Sequence, residues 1–337
     1  MNRKEELDKV LNEVKRQMQY TVISYEQRDP DGFKWGNPKY PGNCSGKVPL
    51  GFIDKLGAKS VCELFAGSGT LSDVCSDYNI PYCGIDLNPN PIRENIISMD
   101  ILDMNQDLPD AFRMSDMCFS HPPYPGINRI KYAGSAWKDT KGLAEKDIQT
   151  LPFEIGMKKI NQAHMRLYSV MQPGSYLVML VGEIRCSGNY YSMIQNLVLP
   201  GISFQTYVKI EHNTWSSRQS YYGNTNPRAL TSHEIIAVVK KPSGYEIMYI
   251  MPKTVNLDIR DSLSATWKDI VIAVMRNIGG QVHYKKITSA VKDCKKAKNN
   301  KDVEAKIRQV LREYKRVFLP CGNGLYQLQD NLAYVAA

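Results

Sequence analysis

No stretch of these 337 residues is apolar for the length a membrane span requires, and the first twenty residues carry charges where a secretory segment would carry an apolar run. Neither a helical membrane span nor a secretory segment is expected, and the chain reads as cytoplasmic. Paired cysteines are lacking too. The eight cysteines, at 44, 62, 75, 83, 118, 186, 294 and 321, form no C-x-x-C, and several stand in apolar runs where a buried thiol is usual. Neither a zinc site nor a disulfide framework is expected, and no metal is assigned.

What is present is ordinary globular material, 43% hydrophobic and 23% charged, long enough for one large domain and a small one. The formal charge of +9 is unevenly spread. From Thr254 to Ala337 there are 15 Lys/Arg against 8 Asp/Glu, so the last quarter holds +7 of the total. A basic terminal module suggests a polyanionic partner.

Leu7, Val10, Leu11, Val14 and Met18 recur at helical spacing, which predicts an amphipathic helix over Asn2–Met18. A Gly/Pro/Asn-rich loop follows, and then a short helix over Val48–Leu56. Val61–Phe65 reads as a strand, Ala66-Gly67-Ser68-Gly69-Thr70 as a glycine turn, and Leu71–Tyr78 as the helix it opens. Glycine there permits close approach of a nucleotide-like group, and the helix offers free N–H groups. A second strand ends at Asp86, where a carboxylate is placed to accept hydrogen bonds from ribose hydroxyls. A third apolar run, Ile96–Leu102, carries Asp100, and a strand over Met114–Phe119 delivers Ser120-His121-Pro122-Pro123-Tyr124. Two consecutive prolines exclude a helix interior or a central strand, so this segment is a rigid, extended exit followed by a flat ring.

Taken together, Glu63-Leu64-Phe65-Ala66-Gly67-Ser68-Gly69-Thr70 and His121-Pro122-Pro123-Tyr124 resemble the paired signature motifs of amino-methylating DNA methyltransferases, over roughly residues 40 to 241. Gly42-Asn43-Cys44-Ser45-Gly46-Lys47-Val48-Pro49 is similar to that family's methionine-pocket segment. The resemblance implies S-adenosylmethionine as cofactor, held by Asn43, Ser45, Glu63, Phe65, Gly67, Ser68, Gly69, Thr70, Asp86, Leu87, Asp100 and Ile101. It implies that His121, Pro122, Pro123 and Tyr124 act on the exocyclic amine of a base flipped out of duplex DNA. The family usually has Asp, Asn or Ser where this chain has His121, and a neutral imidazole still offers one acceptor nitrogen. Adenine N6 is the expected target, with cytosine N4 open. The absence of a usable Pro-Cys nucleophile motif argues against attack at cytosine carbon 5, since Cys118 lies before the proline pair, within the strand.

The fold expected is α/β: a Rossmann-like, doubly wound methyltransferase sheet, completed by strands over Phe204–Ile210 and Glu234–Lys240. Three helical patterns around Trp267–Met275, Tyr284–Val291 and Val303–Leu311, then a hairpin over Val317–Leu328, predict a small α+β domain resembling a winged helix. The expected division is 1–40, an N-terminal helix and loop; 41–253, the catalytic domain; and 254–337, a DNA-binding domain. Double-stranded DNA is the expected partner. Candidate contacts are Arg129 and Lys131 in a cation-aromatic loop with Tyr132 and Trp137, Arg218 and Arg228 in a long polar loop, and Lys301, Lys306, Arg308 and Arg312 on the third helix. A prokaryotic or phage-like restriction-modification setting is expected, with a cognate nuclease left open. Methylation of RNA or of a protein glutamine, and a non-enzymatic DNA-binding role, are the alternatives.

Overall fold

The computed structural model describes residues 2–25, 35–37, 39–127, 132–137, 143–186, 189–200, 202–210, 229–242, 249–250, 258–262 and 265–329. Contacts divide the chain into two compact units, Met1–Pro252 and Lys253–Ala337.

The first unit opens with α1 (Arg3–Gln17), started by a capping box between Asn2 and Glu5, and the edge strand β1 (Val22–Ser24). Next come α2 (Lys47–Leu56), β2 (Val61–Leu64), α3 (Thr70–Asp77), β3 (Tyr82–Asp86) and β4 (Ile96–Ser98). They are followed by α4 (Asp110–Met114), β5 (Met117–Ser120), the long α5 (Phe153–Val170) and β6 (Tyr176–Val181). A hairpin of β7 (Glu183–Cys186) and β8 (Asn189–Ser192) leads through α6 (Met193–Asn196) and β9 (Leu199–Pro200) to β10 (Ile202–Ile210) and β11 (His233–Lys240). β12 (Tyr249–Ile250) pairs with β9.

Eight strands form one sheet in the order β1-β10-β11-β6-β5-β2-β3-β4. From β6 to β4 neighbouring strands are parallel, whereas β11 runs against both β6 and β10. The chain winds outward through β2, β3 and β4 and then returns to place β5 on the other side of β2. That reversal leaves a crevice beyond the carboxyl ends of β2 and β5, where open α/β sheets hold ligands. The expected doubly wound α/β class is what the chain forms.

Alternation sorts the strands' side chains onto two cores. Leu177, Met179 and Val181 of β6 join Phe153, Ile160 and Leu167 of α5 on one face, while Val178 and Leu180 join Val48, Phe52, Leu71 and Val74 of α2 and α3 on the other. A strand covered on both faces is apolar throughout, which is why Leu177–Val181 reads as an unbroken run. Several expected bounds shift. Met114 ends α4 instead of starting a strand, because its exposed side chain does not continue the fully buried run of Met117–Ser120. Pairing in the third run stops at Ser98; the Met99 N–H donates to the Asp86 carbonyl, and the Asp100 carboxylate accepts the Leu102 N–H, turning the chain.

The described part of the second unit comprises α7 (Trp267–Ile278), β13 (Gln281–His283), α8 (Tyr284–Val291), α9 (Lys295–Lys298), α10 (Val303–Glu313) and a hairpin of β14 (Phe318–Gly322) and β15 (Leu325–Leu328). β13 pairs with β15, giving a small antiparallel sheet in the order β13-β15-β14. Its core gathers Ile270, Val274, Ile287, Ile307, Leu311 and Phe318. The lysine stretch at 295–300 begins with a helical turn capped by the Cys294 thiol, which accepts the Ala297 N–H. Among the described residues no helix is long and apolar enough to cross a membrane.

Leu180 is fully buried in β6. Leu180→Ala is expected to lower unfolding stability by about 2–5 kcal/mol through the cavity it leaves, read as a shift in the urea midpoint at constant slope.

Candidate active site

The parallel strands end at one edge: Leu64 pairs with Ile85 and Ser120, Asp86 with Ser98, and Ser120 with Met179. The loops that follow form an open cleft, about 920 Å³ with the solvent at its mouth included, lined by Asn43, Glu63, Phe65, Gly67, Ser68, Thr70, Asp86, Leu87, Asp100 and Ile101 among others. Ten of the twelve residues expected around a cofactor therefore face one cavity. Ser45 and Gly69 do not. The Ser45 hydroxyl accepts the Lys47 N–H at the start of α2, and Gly69, at φ 74°, is the left-handed residue that opens α3.

Gly67 sits at φ 43°, and a Cβ there would stand 3.1 Å from the Tyr40 ring. Local conformation and close approach of the protein's own ring thus both require glycine. Phe65 adopts φ 59°, a strained value for an L side chain and a mark of a site whose surroundings hold it there. The glycine loop is tied down on both sides. Its Gly67 N–H donates to Asp86 at 2.8 Å, while the Ser68 and Thr70 hydroxyls donate to Asn43 Oδ1.

The acids of the cleft are compensated in different ways. Burial raises the Asp86 carboxyl, opposed by hydrogen bonds from the N–H groups of Asn88 and Gly67. Burial pushes the Glu63 carboxyl well above the usual range, and the Tyr82 hydroxyl donates to it at 2.5 Å. Asp100 pairs with Lys146 at 2.9 Å. Tyr40, Tyr132 and Trp137 form a wall: the two tyrosine rings stack at 5.6 Å, and the Trp137 indole N–H donates to the Tyr40 hydroxyl at 3.0 Å. Tyr132 and Trp137, expected in a nucleic-acid loop, are enclosed rings lining the cleft, because Leu87 and Ile92 pack beneath them. Arg129, Lys131, Arg218 and Arg228 lie outside the described residues.

Beside the cleft is a smaller chamber, about 480 Å³ with the solvent at its mouth included, lined by His121, Pro122, Tyr124, Gln149, Lys209 and Glu234 together with residues 42–44. His121 lines both spaces, Pro123 the cleft, and Pro122 and Tyr124 the chamber. The Tyr124 ring packs on Gly182, where a Cβ would come within 2.5 Å of it. Its hydroxyl donates to Glu234 Oε1, and His121 Nε2 stands 3.2 Å from the same hydroxyl. The Lys209 side chain is 1% exposed, and its Nζ reaches Glu234 Oε2 at 2.7 Å. Lys209 and Glu234 are direct cross-strand partners of β10 and β11. Sequence reasoning missed both, although a lysine between Val208 and Ile210 in a buried strand was the available signal. Burial lowers the His121 imidazole to about 4, so it is neutral at pH 7.

In the second unit, Lys306, Arg308 and Arg312 lie on α10, whereas Lys301 precedes its cap, Asp302. Arg308 pairs with Glu304 at 3.5 Å and lies 5.7 Å from the Tyr284 ring centroid.

His164 of α5 is fully buried and meets the Ser120 hydroxyl at 2.7 Å; burial lowers its imidazole to about 4. At pH 7 the ring is neutral in both folded and unfolded chains. Between pH 6.5 and 4 only the unfolded chain takes the proton, so stability falls as pH drops, by about 1.4 kcal/mol per unit, and levels off below 4. The stability difference between the wild type and His164→Gln is therefore expected to move in the variant's favour by about 3 kcal/mol from pH 7 to pH 4. A pH-independent difference in denaturant titrations would contradict a buried, neutral His164.

No protein-family model matches the chain, and no curated protein gives a significant match. Solved structures do. The N-methyltransferase NodS from Bradyrhizobium japonicum WM9, in complex with S-adenosyl-L-homocysteine, is 10% identical, with 69% of this chain and 99% of that chain covered and a TM-score of 0.33. TrmN from Thermus thermophilus is 14% identical, over 58% of this chain and 48% of that one, at a TM-score of 0.34. A SAM-dependent methyltransferase from Archaeoglobus fulgidus is 11% identical, over 59% and 96%, at a TM-score of 0.34. Likeness at this level decides neither family nor substrate.

Proposed function

We propose that this chain is an S-adenosylmethionine-dependent methyltransferase that modifies the exocyclic amine of a base flipped from duplex DNA, with adenine N6 as the target. The observation that carries this reading is the position of His121-Pro122-Pro123-Tyr124 on the wall between the large cleft and the small chamber. A donor in one space and an acceptor in the other would meet at that wall.

The residues of the cleft fit the cofactor. The Asp86 carboxylate spends one lone pair per oxygen on backbone N–H groups, leaving further acceptor sites for ribose hydroxyls. Phe65, Leu87 and Ile101 supply apolar surface for a purine, and Asn43 closes the end of the cleft beside the glycine loop. When bound, the cofactor supplies a sulfonium methyl for direct transfer to an amine.

An exocyclic amine inside a duplex is stacked and paired, so the base rotates out at a cost of a few kcal/mol. In the chamber, Tyr124 supplies a ring held by Gly182 behind it and Glu234 at its hydroxyl. The Pro122 carbonyl and the neutral His121 imidazole are acceptors for the two N–H groups of the amine, favouring the pyramidal nitrogen that attacks. The proteins's contribution is orientation and fixed dipoles, with no covalent enzyme intermediate.

Residues 253–337 are proposed as a winged-helix-like DNA-binding unit. Its net positive charge supports this, as does the element order of α7, β13, α8, α10 and the β14–β15 hairpin, with Arg308 and Arg312 exposed on α10.

Incubation of the full chain with duplex DNA and labelled cofactor, followed by nucleoside mass spectrometry, is expected to yield N6-methyladenine. N4-methylcytosine would move the target base, and transfer to RNA or protein but not to DNA would overturn the substrate. The double substitution Arg308→Glu and Arg312→Glu is expected to weaken DNA binding and to flatten its salt dependence by about one unit of slope per lost phosphate contact. Unchanged affinity and slope would remove these residues from the DNA contact.

A further inference from the structure

Glu234 is partly buried beside the fully buried Lys209, whose ammonium reaches Oε2 at 2.7 Å. An ammonium this enclosed requires an ionised partner, so Glu234 is a carboxylate and carries no hydrogen. At Oε1 it meets the Tyr124 hydroxyl, which therefore donates. A phenol has one hydrogen, and this one is committed to Glu234. Toward His121 the same oxygen offers only lone pairs. The 3.2 Å contact between His121 Nε2 and Tyr124 Oη is then a hydrogen bond only if Nε2 carries the proton.

We infer that Glu234 is a positioning residue: through Tyr124 it holds His121 as the Nε2–H tautomer and leaves Nδ1 as the bare acceptor nitrogen. The order of donation is Lys209 to Glu234, Tyr124 to Glu234, and His121 to Tyr124. A neutral imidazole has one N–H, and here it is spent on the protein. Resting on the amine-methylation reading, this gives the chain an acceptor where related motifs use a carboxylate, amide or hydroxyl oxygen. Tyr124 then has two duties, as a ring in the chamber and as the hydroxyl that passes the orientation of Glu234 to His121.

The relay makes opposite demands on two variants. In Tyr124→Phe the ring remains and the link is cut. In Glu234→Gln the amide oxygen faces the Lys209 ammonium and the amide N–H faces Tyr124 Oη, so the phenol turns to donate to His121 Nε2 and the imidazole proton moves to Nδ1. Nitrogen-15 NMR of the histidine-labelled full chain reads these states directly. The wild type is expected to show Nε2–H, with its proton protected from solvent, and an unprotonated Nδ1. Tyr124→Phe is expected to lose that protection, and Glu234→Gln to show the Nδ1–H form. Both variants are expected to lower kcat about ten- to a hundredfold while the cofactor Kd stays within about twofold. An Nδ1–H wild type, or an Nε2–H signal equally protected in Tyr124→Phe, would overturn the relay. If Glu234→Gln does not fold, Tyr124→Phe still decides the question, because it buries no unpaired charge. The tautomer is measured without turnover, so a chain that methylates nothing yet shows Nε2–H would sink the functional reading and leave the relay standing.

Discussion

The site is held together by one partly buried carboxylate. Glu234 accepts from Lys209 on the neighbouring strand and from Tyr124 in the Pro-Pro-Tyr segment, so it joins sheet, loop and chamber at a single point. Its place follows from strand direction. β11 runs against β6, and its first residues stand at the edge where the parallel strands end; β10 runs against β11, and its last residues reach the same edge. An ion pair between the end of one strand and the start of the next therefore lands beside a loop 110 residues away in sequence. Removing either charge would take from the other its partner at 2.7 Å, which makes this pair a strong constraint on how the edge can be built.

Rigidity in the neighbouring segment has a complementary origin. Pro122 and Pro123 fix two backbone φ angles, and Pro125 packs so closely on α5 that a Cβ at Gly156 would approach it to 2.3 Å. Tyr124 is pressed on Gly182 just past β6. The wall between the two spaces is thus made of side chains with few remaining rotamers, backed by a helix and a strand. Placement on rigid elements is what a reaction limited by orientation needs.

Much of this was legible in the sequence because it is local. A glycine turn after a strand, an acid at the end of the next strand and a double proline after another are short-range signals, and they led to Gly67, Asp86 and the His121–Tyr124 segment. Lys209 and Glu234 were not legible as a site, since their meeting depends on the register of an antiparallel pair flanking a long polar segment. The aromatic wall was half legible: Tyr132 and Trp137 stood out, yet only packing against Leu87 and Ile92 turns them toward the cleft. Ser45 and Gly69 show the reverse error, where membership of a motif was taken for contact with the cavity. One serves the start of α2 and the other the start of α3. In the second unit the three-residue β13 was too short to carry a periodic signal, though its pairing with β15 closes the small sheet.

The cleft contains four acids, and their separate treatments explain how it can be acidic in composition without being strongly charged. Glu63 is driven toward its neutral form by burial, with the Tyr82 hydroxyl against it. Asp100 is balanced by Lys146. Asp86 and Asp147 are met by backbone N–H groups: Gly67 and Asn88 for the first, Tyr132, Ala133 and Gln149 for the second. Backbone amides stabilise a carboxylate without adding a full positive charge, so the oxygens remain oriented acceptors. The same bonds order the cavity, since Asp86 fixes the glycine loop and Asp147 fixes the start of the turn that carries Tyr132. Acceptors in the cleft are in this way inseparable from its walls: moving either carboxylate would release a loop, and releasing a loop would move the carboxylate.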